Sequence, residues 1–146
     1  NVAVILSGLS QVNAPKIIKY ILKNNNHVEV FVDTRRTILD EVIDKIKELN
    51  VNIHFINIKE DEDLIKDYIR RNNVELVYSG GFNSFNKEIM KLVDSVDENI
   101  RFSIANNNLI VCGEGICGGC TVVINGKRTK SCKAQINGRD YLKSLK

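Results

Sequence analysis

No apolar run in this 146-residue chain exceeds about five residues, Val2 to Leu6 being typical, whereas a membrane-spanning helix needs roughly 20. A transmembrane protein is therefore excluded, and no membrane partner is expected. No basic segment leading into an apolar one opens the chain, so nothing directs it to secretion, and a cytoplasmic location is the expectation. Strong charge of one sign is also lacking. The 21 Lys/Arg against 18 Asp/Glu leave a net charge of +3, too little to argue for a nucleic-acid partner. Cysteine is absent from the first 111 residues, and all four fall between Cys112 and Cys132. The same end is basic: residues 1–106 carry 14 Lys/Arg against 16 Asp/Glu, whereas 107–146 carry 7 against 2. These asymmetries place the chemistry near the C-terminus.

What is present reads as one main domain, since 43% hydrophobic residues suffice for a core at this length. The chain opens at Asn1 with Val2 already in an apolar run, and is expected to be a fragment. Up to about residue 106, short Val/Ile-rich runs alternate with amphipathic stretches. Strands are expected at Val2 to Leu6, His27 to Asp33, Asn52 to Ile58, Leu76 to Ser79 and Ile100 to Ile104. Helices are expected at Pro15 to Lys23, Ile38 to Leu49, Asp61 to Asn72 and Asn86 to Asp97. In the second helix, Ile38, Val42, Ile46 and Leu49 mark the core face.

Strict alternation of strand and helix implies a parallel sheet, because parallel neighbours need crossovers. The expected fold is α/β: a five-stranded, Rossmann-like parallel sheet with helices on both faces. Its ligands would lie beyond the carboxyl ends of the strands, after Leu6, Asp33 and Ser79. The polar turn Asn106 to Asn108 ends this rhythm, and six of the nine glycines follow it. Residues 1–106 are thus expected to form the α/β domain and residues 107–146 a small cysteine-rich lobe. Within that lobe, Thr121 to Ile124 and Lys127 to Lys133 read as a hairpin joined by Asn125-Gly126, the preferred type I′ turn pair.

Cys112, Cys117 and Cys120 form C-x4-C-x2-C, and Cys132 follows after eleven residues. This is the plant-type spacing for a [2Fe-2S] cluster, which takes four thiolates. Gly113, Gly115, Gly118 and Gly119 leave the backbone free to wrap a cluster and to aim N–H groups at its sulfurs. A structural zinc site also uses four cysteines, normally as two short-spaced pairs. Disulfides are the third alternative, which a reducing compartment opposes.

The stretch Val111-Cys112-Gly113-Glu114-Gly115-Ile116-Cys117-Gly118-Gly119-Cys120-Thr121-Val122, with Ser131-Cys132-Lys133, resembles the iron-sulfur tail of the dihydroorotate dehydrogenase electron transfer subunit family. That family is ferredoxin-NADP reductase-like, joining an FAD-binding β-barrel, a nucleotide-binding α/β domain and a C-terminal cluster lobe. The resemblance implies an FAD barrel upstream, electron transport between NAD(P)H or FAD and a flavin-containing dehydrogenase subunit, and a place in pyrimidine biosynthesis. Subunits of sulfide dehydrogenase and of NADH-dependent ferredoxin-NADP reductase are also similar, but commonly carry Asp at the position of Cys112.

Carried over by resemblance, nucleotide contacts would fall on Gly8 and on Ser79, Gly80 and Gly81. Both segments depart from the family. In Gly8-Leu9-Ser10-Gln11-Val12-Asn13-Ala14-Pro15, three glycines are replaced by Leu9, Ser10 and Val12, which opposes close approach of a phosphate. Ser79-Gly80-Gly81 stands where relatives have Cys-Gly-Pro, and Ile58 to Asp61 replaces an acidic-glycine signal.

Among the remaining residues, His27 and His54 read as strand-end or partly exposed histidines. Arg35 and Arg36 follow the second strand, where a ribose or 2′-phosphate would lie, or form a solvated pair. Lys127, Arg128, Lys130 and Lys133 either offset cluster charge, dock an acidic partner, or are ordinary hairpin lysines. The leading expectation is an electron-transfer fragment that does not catalyse a full reaction alone. The alternatives are a homologue that keeps the cluster but not nicotinamide binding, and a zinc-stabilised module.

Overall fold

Five Val- and Ile-rich segments form β1 (Val2–Leu6), β2 (Val28–Asp33), β3 (Asn52–Ile56), β4 (Leu76–Gly80) and β5 (Arg101–Ala105). The computed structural model, which describes residues 1–106 and 110–145, pairs them in one parallel sheet of order β3-β2-β1-β4-β5. The chain steps outward from β1 to β3, then returns to lay β4 on the other side of β1. Position 5 of the sheet's central strand thus sits between Phe31 and Ser79, and Leu6 between Val32 and Gly80.

Alternation along β1 sends its side chains to two cores. Val2, Val4 and Leu6 pack with Ile18 of α1 (Ala14–Lys23) and with Ile43 and Ile46 of α2 (Asp40–Lys47). Ala3 and Ile5 pack with Ile65 and Ile69 of α3 (Glu62–Arg71) and Ile89 and Val93 of α4 (Asn83–Val96). Both faces are covered, which is why every residue of β1 and β2 is buried and why those strands are continuously apolar or nearly so. In α2 the buried pair is Ile43 and Ile46, while Ile38, Val42 and Leu49 pack at its margin; the expected stripe thus meets the core through Ile46.

Helix ends explain the abundance of asparagine. Asn25, Asn50 and Asn73 follow α1, α2 and α3 with φ of 58°, 54° and 47°, the left-handed conformation that ends helices and that asparagine tolerates. The chain's single proline sits in the first turn of α1, where its missing N–H costs nothing. Helix α4 starts at Asn83, three residues before the expected Asn86, because the carbonyl of Phe82 already accepts from the Asn86 N–H (2.9 Å).

Beyond the sheet, β6 (Thr121–Ile124) and β7 (Lys127–Lys130) pair antiparallel. Asn125 and Gly126 both have positive φ, 51° and 78°, as a type I′ turn requires. Val122 and Ile124 lean on the α3–α4 core. A last helix, α5 (Gly138–Ser144), was not expected from the sequence. Its start is capped by the Asn137 side chain, which accepts from the N–H groups of Arg139 and Asp140. Tyr141 and Leu142 bury themselves in the same core, and Arg139 pairs with Asp94 of α4 at 2.8 Å. The C-terminal segment is therefore tied to the sheet by apolar contact and an ion pair. Of the expected polar turn Asn106 to Asn108, Asn107 and Asn108 lie outside the described residues. Among the described residues, no helix is long and apolar enough to cross a membrane.

Candidate functional site

The four cysteines stand as two pairs. Cys120 immediately precedes β6 and Cys132 follows β7, so the register that sets Thr121 opposite Lys130 draws the two together. Their sulfurs are 3.1 Å apart. Ser131 fastens this closure by donating both its N–H and its hydroxyl to the Cys120 carbonyl, each at 3.1 Å. Cys112 and Cys117 form the second, looser pair, the Cys117 backbone and thiol lying close enough to the Cys112 sulfur to stabilise its charge. The N–H of Glu114 points at the Cys112 sulfur and that of Gly119 at the Cys117 sulfur, both at 3.4 Å. Gly113, Gly115 and Gly118 bend the loop with φ of 66°, 73° and 74°, conformations that an L side chain resists.

At Cys112 this setting favours the thiolate form. The Cys112 thiol is drawn down to about 6, chiefly by the backbone and thiol of Cys117, with the N–H groups of Glu114 and Ile116 adding to it. Within the other pair, the Cys132 thiol holds Cys120 below the usual thiol range, and Cys132 is pushed up in turn. The pairs differ in access: Cys112 and Cys117 are exposed, Cys120 is buried and Cys132 half-buried. Hairpin cations brace the loop, with Lys133 pairing with Glu114 at 3.1 Å and Lys130 donating to the Gly115 carbonyl. Among the described residues, no three His, Cys, Asp or Glu side chains gather about one point.

The second candidate site is the crevice at the carboxyl ends of β1 and β4. Gly8 opens a 3-10 helix (Gly8–Asn13) with φ of 59°, and Ser10 in that helix is buried. Its hydroxyl donates to the Ser7 carbonyl (2.7 Å), and its Cβ lies 3.1 Å from where a Cβ on Gly80 would stand. Glycine at position 80 thus makes room for Ser10, which packs against the end of β4. Gln11 is fully buried: it donates to the Thr37 carbonyl (2.9 Å) and accepts from the Leu39 N–H (3.1 Å), which delays the start of α2. Leu9 and Val12 are 66% and 57% exposed.

Ser79 is fully buried and its hydroxyl donates to Oδ1 of Asn86 at 2.7 Å. The Asn86 amide in turn donates to the carbonyls of Gly81 and Ala105, both at 3.0 Å. Nothing in the sequence singled out Asn86, which joins the ends of β4 and β5. Nearby, a cavity of about 460 Å³ is bounded by Ser7, Asp33, Arg35, Arg36, Phe82 and Glu88, among others. Arg35 is clamped there, bidentate to Glu88 (2.9 and 3.2 Å) and to Asp33 (2.9 Å); these carboxylates, Glu88 first, raise its already high pKa further. Arg36 remains exposed. His27 is exposed, and His54 meets the buried Glu29 at 2.6 Å.

Residues 67–144 match the family model of the 2Fe-2S iron-sulfur cluster binding domain. That is just over half of the chain. The chain belongs to this family. The match begins within α3 and takes in β4, α4, β5, the hairpin and α5, so the 2Fe-2S domain includes all four cysteines as well as Ser79, Gly80 and Gly81, whereas Gly8 lies outside it. No curated protein matches the chain.

Proposed function

We propose that this 2Fe-2S domain protein is an electron-transfer module whose cluster is held by Cys112, Cys117, Cys120 and Cys132. The observation that carries the reading is the arrangement of sulfurs in two pairs among N–H donors. A two-iron cluster takes four thiolates across its two metals, whereas zinc gathers four ligands about one ion. When bound, such a cluster supplies one-electron redox chemistry. The chain's own residues do the rest. The hairpin register presents Cys120 and Cys132 together, the loop glycines let the chain bend around Cys112 and Cys117, and the N–H groups of Glu114 and Gly119 point at their sulfurs. In this proposal residues 107–146 hold the cluster and residues 1–106 form a nucleotide-domain-type scaffold of the ferredoxin reductase kind. By the family resemblance, an FAD-binding barrel and a flavin-containing dehydrogenase subunit are the neighbours on the electron path.

A second reading, that the crevice no longer takes NAD(P)H, is favoured by Ser10, which stands in place of a turn glycine and packs against Gly80, and by Ser79, whose hydroxyl is committed to Asn86. In either case the cysteines carry the redox role. The test is substitution: Cys117→Ser and Cys120→Ser should each sharply lower iron and sulfide after anaerobic reconstitution, because no neighbouring thiol is placed to substitute. Full cluster content in both variants would overturn the ligand assignment.

A further inference from the structure

The paired thiols face two different surroundings. Cys120, in the pair next to α5 and the start of α4, is buried beside Asn83, Tyr141 and Leu145. Cys112 and Cys117 face solvent amid apolar side chains that the fold leaves uncovered: Ile116 is 83% and Val111 70% exposed. These two belong to the same surface as the exposed thiols. A Cβ on Gly119 would lie 3.6 Å from the Cys117 sulfur and 3.7 Å from Val111, and Ile116 adjoins Cys117 in the chain. Large exposed apolar residues grouped at one point mark interaction sites far more often than scattered ones do.

Cations surround this apex. The stems of Lys133 and Lys130 flank Gly115, 3.1 and 3.6 Å from where its Cβ would stand. The alternation of the hairpin, with Val122 and Ile124 turned to the core, puts Val123 and the opposite Arg128, with Lys130, on the outer face. Among the described residues, no carboxylate pairs with Arg128 or Lys130, and Glu114 is the one acidic partner of Lys133. Residues 107–146 carry 7 Lys/Arg against 2 Asp/Glu. A second copy of the chain would set this excess against itself, which like-charge repulsion opposes. A nucleic acid would use the cations but leave Val111 and Ile116 unmatched.

We propose that Val111 and Ile116, flanked by Lys130 and Lys133 with Arg128 farther along the same hairpin face, form the docking surface for a redox protein that presents carboxylates around an apolar centre. This rests on the electron-transfer reading and deepens it, since the surface lies over the exposed Cys112–Cys117 pair. Charge complementarity sets the encounter and its orientation, and the apolar contact excludes water at the centre.

The probes are an acidic flavodoxin, a basic cytochrome c and a short DNA duplex, each titrated calorimetrically into the full chain, with iron and sulfide measured on the same samples. Saturable binding of flavodoxin is expected, weakening about tenfold as ionic strength rises from about 0.05 to about 0.3 M. Arg128→Glu should weaken it about tenfold at low salt and flatten the salt dependence. Ile116→Ser should weaken it at both salts. Absence of flavodoxin binding, equal or tighter binding of cytochrome c or the duplex, or indifference to Arg128→Glu or Ile116→Ser would each overturn the proposal. A chain that holds iron and sulfide yet ignores flavodoxin fails the docking proposal alone. One that binds flavodoxin but holds no iron supports the surface and fails the electron-transfer reading.

Discussion

Replacing Asn86 with alanine tests whether the Ser79 segment is structural. Asn86 is fully buried and serves three groups: it accepts from the Ser79 hydroxyl and donates to the carbonyls of Gly81 and Ala105. The Ala105 carbonyl keeps a second donor, the Gly81 N–H at 3.1 Å. Two groups, the Ser79 hydroxyl and the Gly81 carbonyl, then lose the side-chain partner that Asn86 provides. Each orphaned buried group costs about 1–3 kcal/mol, so Asn86→Ala should destabilise the chain by about 3 kcal/mol. Ser79→Ala should cost about 1–2 kcal/mol, and the double variant less than the sum, because both remove the same hydrogen bond. Urea unfolding followed by far-ultraviolet circular dichroism measures this as a shift in midpoint at constant slope. A loss below about 1 kcal/mol for Asn86→Ala, or strict additivity in the double variant, would refute the reasoning. Ser79 would then be free to act as the ligand contact that the family resemblance implies.

Titration of the full chain with NADH or NADPH should give dissociation constants on the order of a millimolar or weaker, about 4 kcal/mol of binding, because Leu9, Ser10 and Val12 replace the turn glycines that let a phosphate approach; saturable micromolar binding measured calorimetrically would contradict this. Alkaline pH should weaken the fold. Burial holds Tyr78 up to about 12, and Tyr68 is raised to about 12 by burial and by Glu29, against about 10 in an unfolded chain. Between those values the folded state retains protons that the unfolded state loses. The stability is therefore fully present below about pH 10 and is lost as pH rises toward about 12; a urea midpoint that holds or rises over that window would contradict the sign.

Most of the sheet was legible because parallel strands buried on both faces must be continuously apolar, and Val2 to Leu6 and Leu76 to Val77 carry that signal undiluted. The hairpin was legible for a different reason, since Asn125-Gly126 is a turn pair whose chemistry fixes its geometry. The same dipeptide at Asn137-Gly138 starts a helix instead, its asparagine acting as an N-cap. The seven residues of α5 are too few for a helical period to show, and only burial of Tyr141 and Leu142 in the distant α3–α4 core decides the matter. An Asn cap followed by Asp140 in the first turn was the available clue.

At the sites, spacing alone pointed to the cysteines, but not to their division into an exposed pair and a partly buried one, which depends on where the hairpin leans. The crevice was half legible. Loss of glycine at Ser10 was the signal for a changed turn, yet the packing of that serine against Gly80 needs β1 and β4 side by side. Asn86 was hidden because the expected helix began at that residue. Starting at Asn83 instead turns Asn86 inward to the strand ends.

The central claim, that four cysteines hold a two-iron cluster, is tested most directly by metal and sulfide analysis of anaerobically purified chain, combined with electron paramagnetic resonance after chemical reduction. The account predicts two irons and two sulfides per chain and a signal from a reduced [2Fe-2S] centre that accepts one electron. Stoichiometric zinc with no iron, and no paramagnetic signal on reduction, would contradict it.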